Sequence, residues 1–269
     1  MSGRTRVCLA GATGWVGRGL TPAIAAAPDL ELTGAVSRAH AGKPLPEALS
    51  DPALPAVLVR ATAAEALEAG ADVFVDYTSA EAVRGNVETA IARGAHVVVG
   101  SSGLTDEDYA EIDRAARQRG VGVLAAGNFA LTAVLLQRFA EMAAGQIPHW
   151  EILEYARASK PDAPSGTARE LASRLAQVRR PELAVPVEKT LGAPEARGVS
   201  LSGTPTHSVR LPGFVSSIEV LFGLPDERLS IRHDSGSGAE PYIAGTLLAI
   251  RRVGSFTGVK RGLDSVMEL

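Results

Sequence analysis

The sequence predicts an α/β protein in two parts, a parallel sheet covered by helices on both faces and a second, mixed α+β domain. Three observations predict it. Short apolar runs alternate with helical stretches over residues 6–119, and those runs are continuous rather than alternating. Past Gly127 the pattern turns to strands in which apolar and polar residues alternate. Continuous apolar strands between helices belong to sheets buried on both faces, whereas alternation marks a sheet with one face exposed. A chain of 269 residues accommodates one or two domains. The expected division is 1–127 with 239–269, and 128–238.

Taken in order, residues 6–10 (RVCLA) read as a strand, residues 11–17 as a glycine turn, and residues 18–27 as a helix. Residues 30–36 make the next strand, and 57–59, 73–76 and 97–100 make later ones. Residues 35–55, rich in Pro and Ala, are expected as a loop. The clearest helices of this half are 80–93 and 106–119. Beyond Gly127 come an apolar helix over 131–144, a strand over 150–155, and a helix over 165–178 opened by a Pro-Ser-Gly turn. Segments 208–211, 217–222 and 229–233 read as antiparallel strands separated by Pro212-Gly213 and Pro225-Asp226 turns. Residues 240–253 return to a helical pattern.

Composition removes several function classes. Hydrophobic residues at 46% and charged residues at 21% are enough for a packed core, which excludes a disordered chain. A net charge of -3 without a run of one sign lacks the footprint of a nucleic-acid binder. The N-terminus has no apolar segment of signal-peptide length, and no apolar run reaches the roughly 18 residues of a membrane span. A soluble, cytoplasmic protein is expected. Cys8 is the only cysteine, so intrachain disulfides and a CxxC metal site are excluded, no metal is expected, and Cys8 reads as a buried, inert thiol.

Gly11, Gly14 and Gly17 form G-x-x-G-x-x-G directly after a strand and directly before a helix. The first glycine permits a tight turn, the second lets backbone approach a pyrophosphate, and the third allows close helix packing, while the helix N-terminus favours an anion. This is the signature of a Rossmann-type dinucleotide site. At the end of the second strand, where an acid would accept bonds from the ribose hydroxyl of NAD, the chain has Ser37-Arg38. A hydroxyl beside a guanidinium suits a 2'-phosphate, so NADPH is expected to bind better than NADH. His40 and Lys43 stand nearby.

Residues 154–168 read EYARASKPDAPSGTA. Asp162, Pro164 and Ser165 shape a turn, and Gly166 and Thr167 expose backbone N–H groups at a helix start, a site for a carboxylate or phosphate. Plain capping by Ser165 is the alternative. Lys160 either pairs with a second anionic group, donates a proton, or is a solvated charge.

Several motifs together resemble the 4-hydroxy-tetrahydrodipicolinate reductase (dihydrodipicolinate reductase) family of lysine synthesis. They are GATGWVG over 11–17, Asp76-Tyr77-Thr78, Gly100-Ser101-Ser102-Gly103, Asn128-Phe129, KPDAPSGTA over 160–168, His207-Ser208-Val209-Arg210, GLPDERLSIRHDS over 223–235 and the closing GLDSVMEL. The resemblance implies a Rossmann domain completed by the last helix, a central substrate domain that packs into a homotetramer, and hydride transfer from NADPH, with NADH as the alternative, to an unsaturated cyclic imine carboxylate. Gly11, Thr13, Gly14, Trp15, Val16, Gly17, Ser37 and Arg38 would then hold the dinucleotide. Asp76, Tyr77, Thr78, Gly100, Ser101, Ser102, Gly103, Asn128 and Phe129 would surround the nicotinamide end. Lys160, Ser165, Gly166 and Thr167 would hold the substrate carboxylates.

The chain departs from that family after Glu154. The family has adjacent histidines two and three positions on, the first its proposed proton donor. This chain has Ala156 and Arg157. An alanine moves no proton, and an arginine is a carboxylate clamp rather than an acid. Ser159 replaces a further histidine, and Gly127 stands where the family has proline. Lys160, Tyr155 or a bound water must then supply the proton. Two other functions stay open: an imine or enamine reductase acting on a different substrate in secondary metabolism, and a non-catalytic dinucleotide-binding homologue. His207 and His233 are expected as structural residues on strands.

Overall fold

The structure, a computed structural model, describes residues 3–268. Met1, Ser2 and Leu269, the last residue of GLDSVMEL, lie outside them. In chain order the first elements are β1 (Thr5–Ala10), α1 (Gly17–Ala26), β2 (Leu30–Val36), α2 (Leu45–Leu49), β3 (Val59–Arg60) and α3 (Ala63–Ala66). There follow β4 (Val73–Asp76), α4 (Val83–Ala92), β5 (His96–Val99), α5 (Asp106–Arg119) and β6 (Gly122–Ala125). The middle of the chain supplies α6 (Leu131–Gln146), β7 (His149–Ala156), α7 (Gly166–Val178), β8 (Val199–Leu201), β9 (Thr204–Arg210), β10 (Ser216–Leu224) and β11 (Glu227–Ser235). The last elements are α8 (Glu240–Arg252) and β12 (Gly258–Arg261). Two compact units result, residues 1–131 with 239–269, and residues 132–238.

The first unit is built on a seven-stranded sheet in the order β12-β6-β5-β4-β1-β2-β3, every neighbouring pair parallel. Its strands are short and the central ones apolar, and Val7 to Ala10, Val73 to Val75 and Val97 to Val99 are buried on both faces, as a parallel sheet between helices demands. The order reverses between β1 and β4. Loops leaving the carboxyl ends of these two strands therefore part to opposite faces and leave a crevice, the place where ligands of such sheets bind. Cys8 lies in the middle of β1, wholly buried, and burial pushes its thiol up to about 12.

The second unit has a five-stranded sheet in the order β11-β10-β7-β9-β8. It is mixed, because β7 and β9 run parallel while the other pairs are antiparallel. β7 alternates strictly, with Trp150, Ile152, Glu154 and Ala156 on the buried face. On that face α6 and α7 pack, through Leu136, Ala140, Leu171 and Leu175, against Trp150, Ile152, Ile218, Val220 and Phe222.

Where the sequence carries explicit end signals, the elements stand where it placed them. α5 begins with a capping box between Thr105 and Asp108, carries three acids in its first turn, and ends on Gly120 in the left-handed conformation; its bounds are the expected ones. Three strands were not anticipated. β6 is only four residues long, β8 is a three-residue edge strand antiparallel to β9, and β12 is a polar edge strand laid parallel to β6. α2 lies inside the expected 35–55 loop, begun by the Pro44-Leu45-Pro46 segment. β9 starts at Thr204, earlier than expected, because Pro205 hides the strand in the sequence.

Two glycine substitutions test this packing. A Cβ on Gly245 of α8 would stand 1.9 Å from the Phe129 carbonyl oxygen, whereas a Cβ on Gly85 of α4 meets nothing within 4 Å. Urea unfolding should show Gly245→Ala destabilised by about 1 to 3 kcal/mol from overpacking. Gly85→Ala should be stabilised by about 0.5 to 1 kcal/mol, the helix-propensity difference.

Candidate active site

The glycine turn joins β1 to α1 at the crevice. Its three glycines serve different ends. A Cβ on Gly11, at φ +81°, would lie 2.1 Å from the Tyr77 carbonyl oxygen, and one on Gly17 would lie 2.0 Å from the Gly11 carbonyl oxygen. Both are forced by contacts of the chain with itself. Gly14 is looser, 3.1 Å from its nearest neighbour, and it lines two adjoining cavities of the first unit. α1 starts without a side-chain cap and without an acid in its first turn, and Arg18 N and Gly19 N already bond the Gly14 and Val16 carbonyls, so what it offers an anion is chiefly the positive end of its dipole.

The larger cavity, about 890 Å³, is lined by Gly11, Thr13 and Gly14 of the turn, by Ser37 and Arg38 beyond β2, and by Thr78 beyond β4. Ser37 Oγ lies 2.7 Å from Thr13 Oγ1, so the two expected polar contacts support each other. The smaller cavity, about 440 Å³, is lined by Gly14, Trp15 and Val16, by Tyr77 and Thr78, by Gly100, Ser101 and Ser102, and by Asn128 and Phe129. The structure thus brings together nearly every residue expected at the dinucleotide. It also adds some. Tyr242 of α8 closes the smaller cavity edge-on to Trp15, with ring centroids 5.6 Å apart, and Ala61, Thr62, Ser79, Ala82 and Asn86 line the larger one. Tyr242 is far away in sequence and carried no signal. Asn86 had one, since an asparagine within a helix is a poor helix former that asks for a reason.

Asp76, Gly17 and Gly103 do not line either cavity. Asp76 at the end of β4 is fully buried. Its Oδ1 accepts from Thr78 N at 3.0 Å, Thr78 Oγ1 at 2.7 Å and Ser101 Oγ at 2.6 Å, and its Oδ2 accepts from Asn86 Nδ2 at 2.8 Å. Its carboxylate therefore pins the loops after β4 and β5 to α4. Tyr77 turns inward, with Gly100 so close that a Cβ there would fall 2.2 Å from its ring, and its hydroxyl lies 2.6 Å from Thr246 Oγ1 of α8. Burial drives the Tyr77 phenol well above its ordinary value, so it stays protonated.

In the second unit, Ser165 caps α7 by accepting from Ala168 N at 3.3 Å, and Gly166 and Thr167 are the first residues of that helix. Lys160 Nζ pairs with the Asp162 carboxylate at 2.6 and 2.8 Å, and this lysine holds the Asp162 carboxyl below its ordinary value. Glu154 Oε1 accepts from Ser165 N at 2.9 Å, Ser208 Oγ at 2.7 Å and Arg210 Nη2 at 2.7 Å. Burial alone would raise the Glu154 carboxyl, but the bonds from Ser165, Ser208 and Arg210 outweigh it and lower the value. Arg157 is exposed just past the end of β7.

Tyr155, one of the expected proton donors, requires correction. Strand alternation puts Glu154 and Ala156 on the face under α7 and Tyr155 on the opposite one. Its hydroxyl donates to Glu219 at 3.3 Å, its ring lies under the Arg232 guanidinium, and burial followed by the charge of Glu219 raises its pKa. His207 bonds Glu151 at 2.9 Å and His233 bonds Thr132 at 3.0 Å, both on strands, in structural positions.

A doubly wound parallel sheet, with a glycine turn and a two-part crevice at its switch point, defines a nicotinamide-dinucleotide-dependent oxidoreductase. Known proteins narrow the class. The model of the dihydrodipicolinate reductase N-terminus matches residues 5–129, and that of the C-terminus matches residues 132–267. The 4-hydroxy-tetrahydrodipicolinate reductase of Moorella thermoacetica is 37% identical over 98% of this chain and 98% of its own. That of Bacillus velezensis is 34% identical over the whole of both chains. The dipicolinate-bound dihydrodipicolinate reductase of Paenisporosarcina sp. TG-14 superposes with a TM-score of 0.88 at 30% identity, covering 98% of this chain and 100% of that one. The chain belongs to the dihydrodipicolinate reductase family.

The Asp76 network carries a test. Asp76→Asn turns one acceptor into a donor facing groups that can only donate or must reorient. Chemical denaturation should register a loss of about 1 to 3 kcal/mol, the cost of one unsatisfied buried group. Nucleotide affinity should fall with it, whereas unchanged stability would mean that the loops hold without the carboxylate.

Proposed function

We propose that the protein reduces 4-hydroxy-tetrahydrodipicolinate to tetrahydrodipicolinate with NADPH, in lysine and diaminopimelate synthesis. The observation that carries this reading is that one short segment supplies both the Lys160 ammonium, held by Asp162, and the leading N–H groups of α7 at Gly166 and Thr167, two sets of donors suited to the two carboxylates of one small molecule. The dinucleotide, when bound, supplies the hydride. The chain's residues do the rest. Gly14 and the start of α1 receive the pyrophosphate, Ser37 and Arg38 the 2'-phosphate, and the wall from Tyr77 to Phe129 holds the nicotinamide end out of water. Lys160, Gly166 and Thr167 grip the carboxylates, with Arg157 as a further clamp. The first unit is the dinucleotide-binding domain and the second the substrate and oligomerisation domain. Assembly into a homotetramer fits the second sheet, whose face away from α6 and α7 displays Leu221 at 38% exposure.

With Tyr155 turned away and Ala156 buried, the proton comes from Lys160 or from a bound water. The methyl of Ala156 also favours a second reading, reduction of a different imine that needs no acid from the chain.

Both readings are separable by assay. Purified protein given 4-hydroxy-tetrahydrodipicolinate should oxidise NADPH faster than NADH, and failure to oxidise either would overturn the first reading. Activity with other cyclic imines but not with this one would establish the second. Arg38→Ala should raise the KM for NADPH about tenfold or more and leave that for NADH nearly unchanged, the loss of a charge-assisted bond. Because Trp15 is 61% exposed beside the smaller cavity while Trp150 is buried, NADPH should quench Trp15 emission, and Trp15→Phe should abolish that signal.

A further inference from the structure

Two charged side chains of the second unit, one buried and one partly buried, have no part in the chemistry above. Glu154 is 2% exposed, and Arg210 lies across the parallel β7–β9 pair from Ala156, two pairs beyond the Glu154–Ser208 pair and so on the same face. Their side chains meet at 2.7 Å. Glu154 takes the backbone N–H of Ser165, and Arg210 Nη2 donates both to Glu154 and to the Asp162 carbonyl oxygen at 2.7 Å. One ion pair thus grips the two ends of a four-residue turn. Lys160 pairs with the first residue of that turn, and α7 starts directly after the last.

We propose that Glu154 and Arg210 are positioning residues that fix the Asp162–Ser165 turn, and through it the separation between the Lys160 ammonium and the N–H groups of Gly166 and Thr167. This rests on reading those groups as the substrate carboxylate site. Neither residue touches the substrate. A core built for stability alone has little use for such a pair, since apolar groups of similar size in place of a buried ion pair are often as stable or more so. Arg210 Nε, buried without an acceptor among the described residues, adds a cost that such a core would avoid. What the pair provides is geometry. Arg210's planar guanidinium holds Nη2 on Glu154 and Asp162 and Nη1 on the Val209 carbonyl at fixed angles, and Glu154 accepts a backbone N–H that only one placement of Ser165 can offer. A carboxylate bound at two points feels an error of an ångström at either of them.

The test compares Arg210→Met, Arg210→Lys and the double variant Glu154→Leu/Arg210→Met by steady-state kinetics with 4-hydroxy-tetrahydrodipicolinate and NADPH, by dipicolinate binding, and by thermal unfolding. Arg210→Met strands the Glu154 carboxylate and should unfold at lower temperature, while the double variant removes both charges and should regain much of that stability. Positioning predicts that substrate KM and dipicolinate Kd rise by about tenfold to 100-fold in both. KM for NADPH should stay within about threefold of its starting value in the double variant, separating substrate placement from a general loss of fold. Arg210→Lys, which keeps the charge but not the fork, should fold and show an intermediate KM. Arg210→Met should also give the substrate KM a new acid-range ionisation, from a Glu154 carboxyl released to a higher pKa, that the double variant lacks. Recovery of both stability and substrate KM in the double variant would reduce the pair to a structural role and overturn the proposal. An unmodified protein that neither turns over the substrate nor binds dipicolinate would instead overturn the carboxylate-site reading, and the proposal with it.

Discussion

A carboxylate taken out of water must find donors, and at Asp76 it finds them without a cation. Two backbone or hydroxyl donors of Thr78, the hydroxyl of Ser101 and the amide of Asn86 converge on one fully buried side chain. Because these donors come from the loops after β4 and β5 and from α4, the requirement to satisfy one charge locks three segments in place. The walls of the crevice follow from it. Tyr77, next along the chain, has its carbonyl against Gly11 and its ring against Gly100, and its hydroxyl reaches α8 through Thr246. A residue that never faces the crevice therefore sets the shape of those that do.

The second unit solves the same problem with a cation present. Glu154 has fewer neutral donors than Asp76, one backbone N–H and one hydroxyl, and Arg210 completes the set. The electrostatic consequence is an acid-labile contribution to stability. A carboxyl held below its ordinary value stabilises the fold while ionised, and this contribution is lost as pH falls from the unfolded-state value through the folded one. In both units a loop is anchored by a buried carboxylate, Asp76 in the first and Glu154 in the second.

How much of this the sequence disclosed depends on how local the signal was. The glycine turn, Ser37-Arg38 and the helix over 106–119 rest on signals contained within a few residues and stand where they were expected. Asp76 was recognised by its motif but placed at the ligand, because no sequence pattern distinguishes a carboxylate that meets a cofactor from one that accepts four donors of its own chain. Tyr155 was misplaced for a related reason. The period of two puts Glu154 and Ala156 on one face and Tyr155 on the other, yet which face lies under α7 is decided by packing contributed from α6, α7 and β10. Tyr242, Thr246 and Arg210 matter through contacts across long sequence separations, which composition and periodicity do not encode.

The replacement of the family's histidine pair bears on charge as well as on proton delivery. A general acid is typically worth about 3 to 5 kcal/mol of barrier, and neither Ala156 nor Arg157 can recover it. In the proposed reaction the nearest remedy is an imine that arrives protonated, with no donor needed from the chain. Lys160 and Arg157 oppose that remedy, since two cations beside an iminium lower its pKa. Asp162 already offsets one of them. The substrate's own two carboxylates offset the rest, so a dicarboxylate brings both the grip and the neutralisation that let its nitrogen keep a proton. An imine without carboxylates would meet the same site with an excess of positive charge and no hold on the start of α7. Under the proposed reaction, the loss of the histidines therefore favours anionic imines, the different imine of the second reading included.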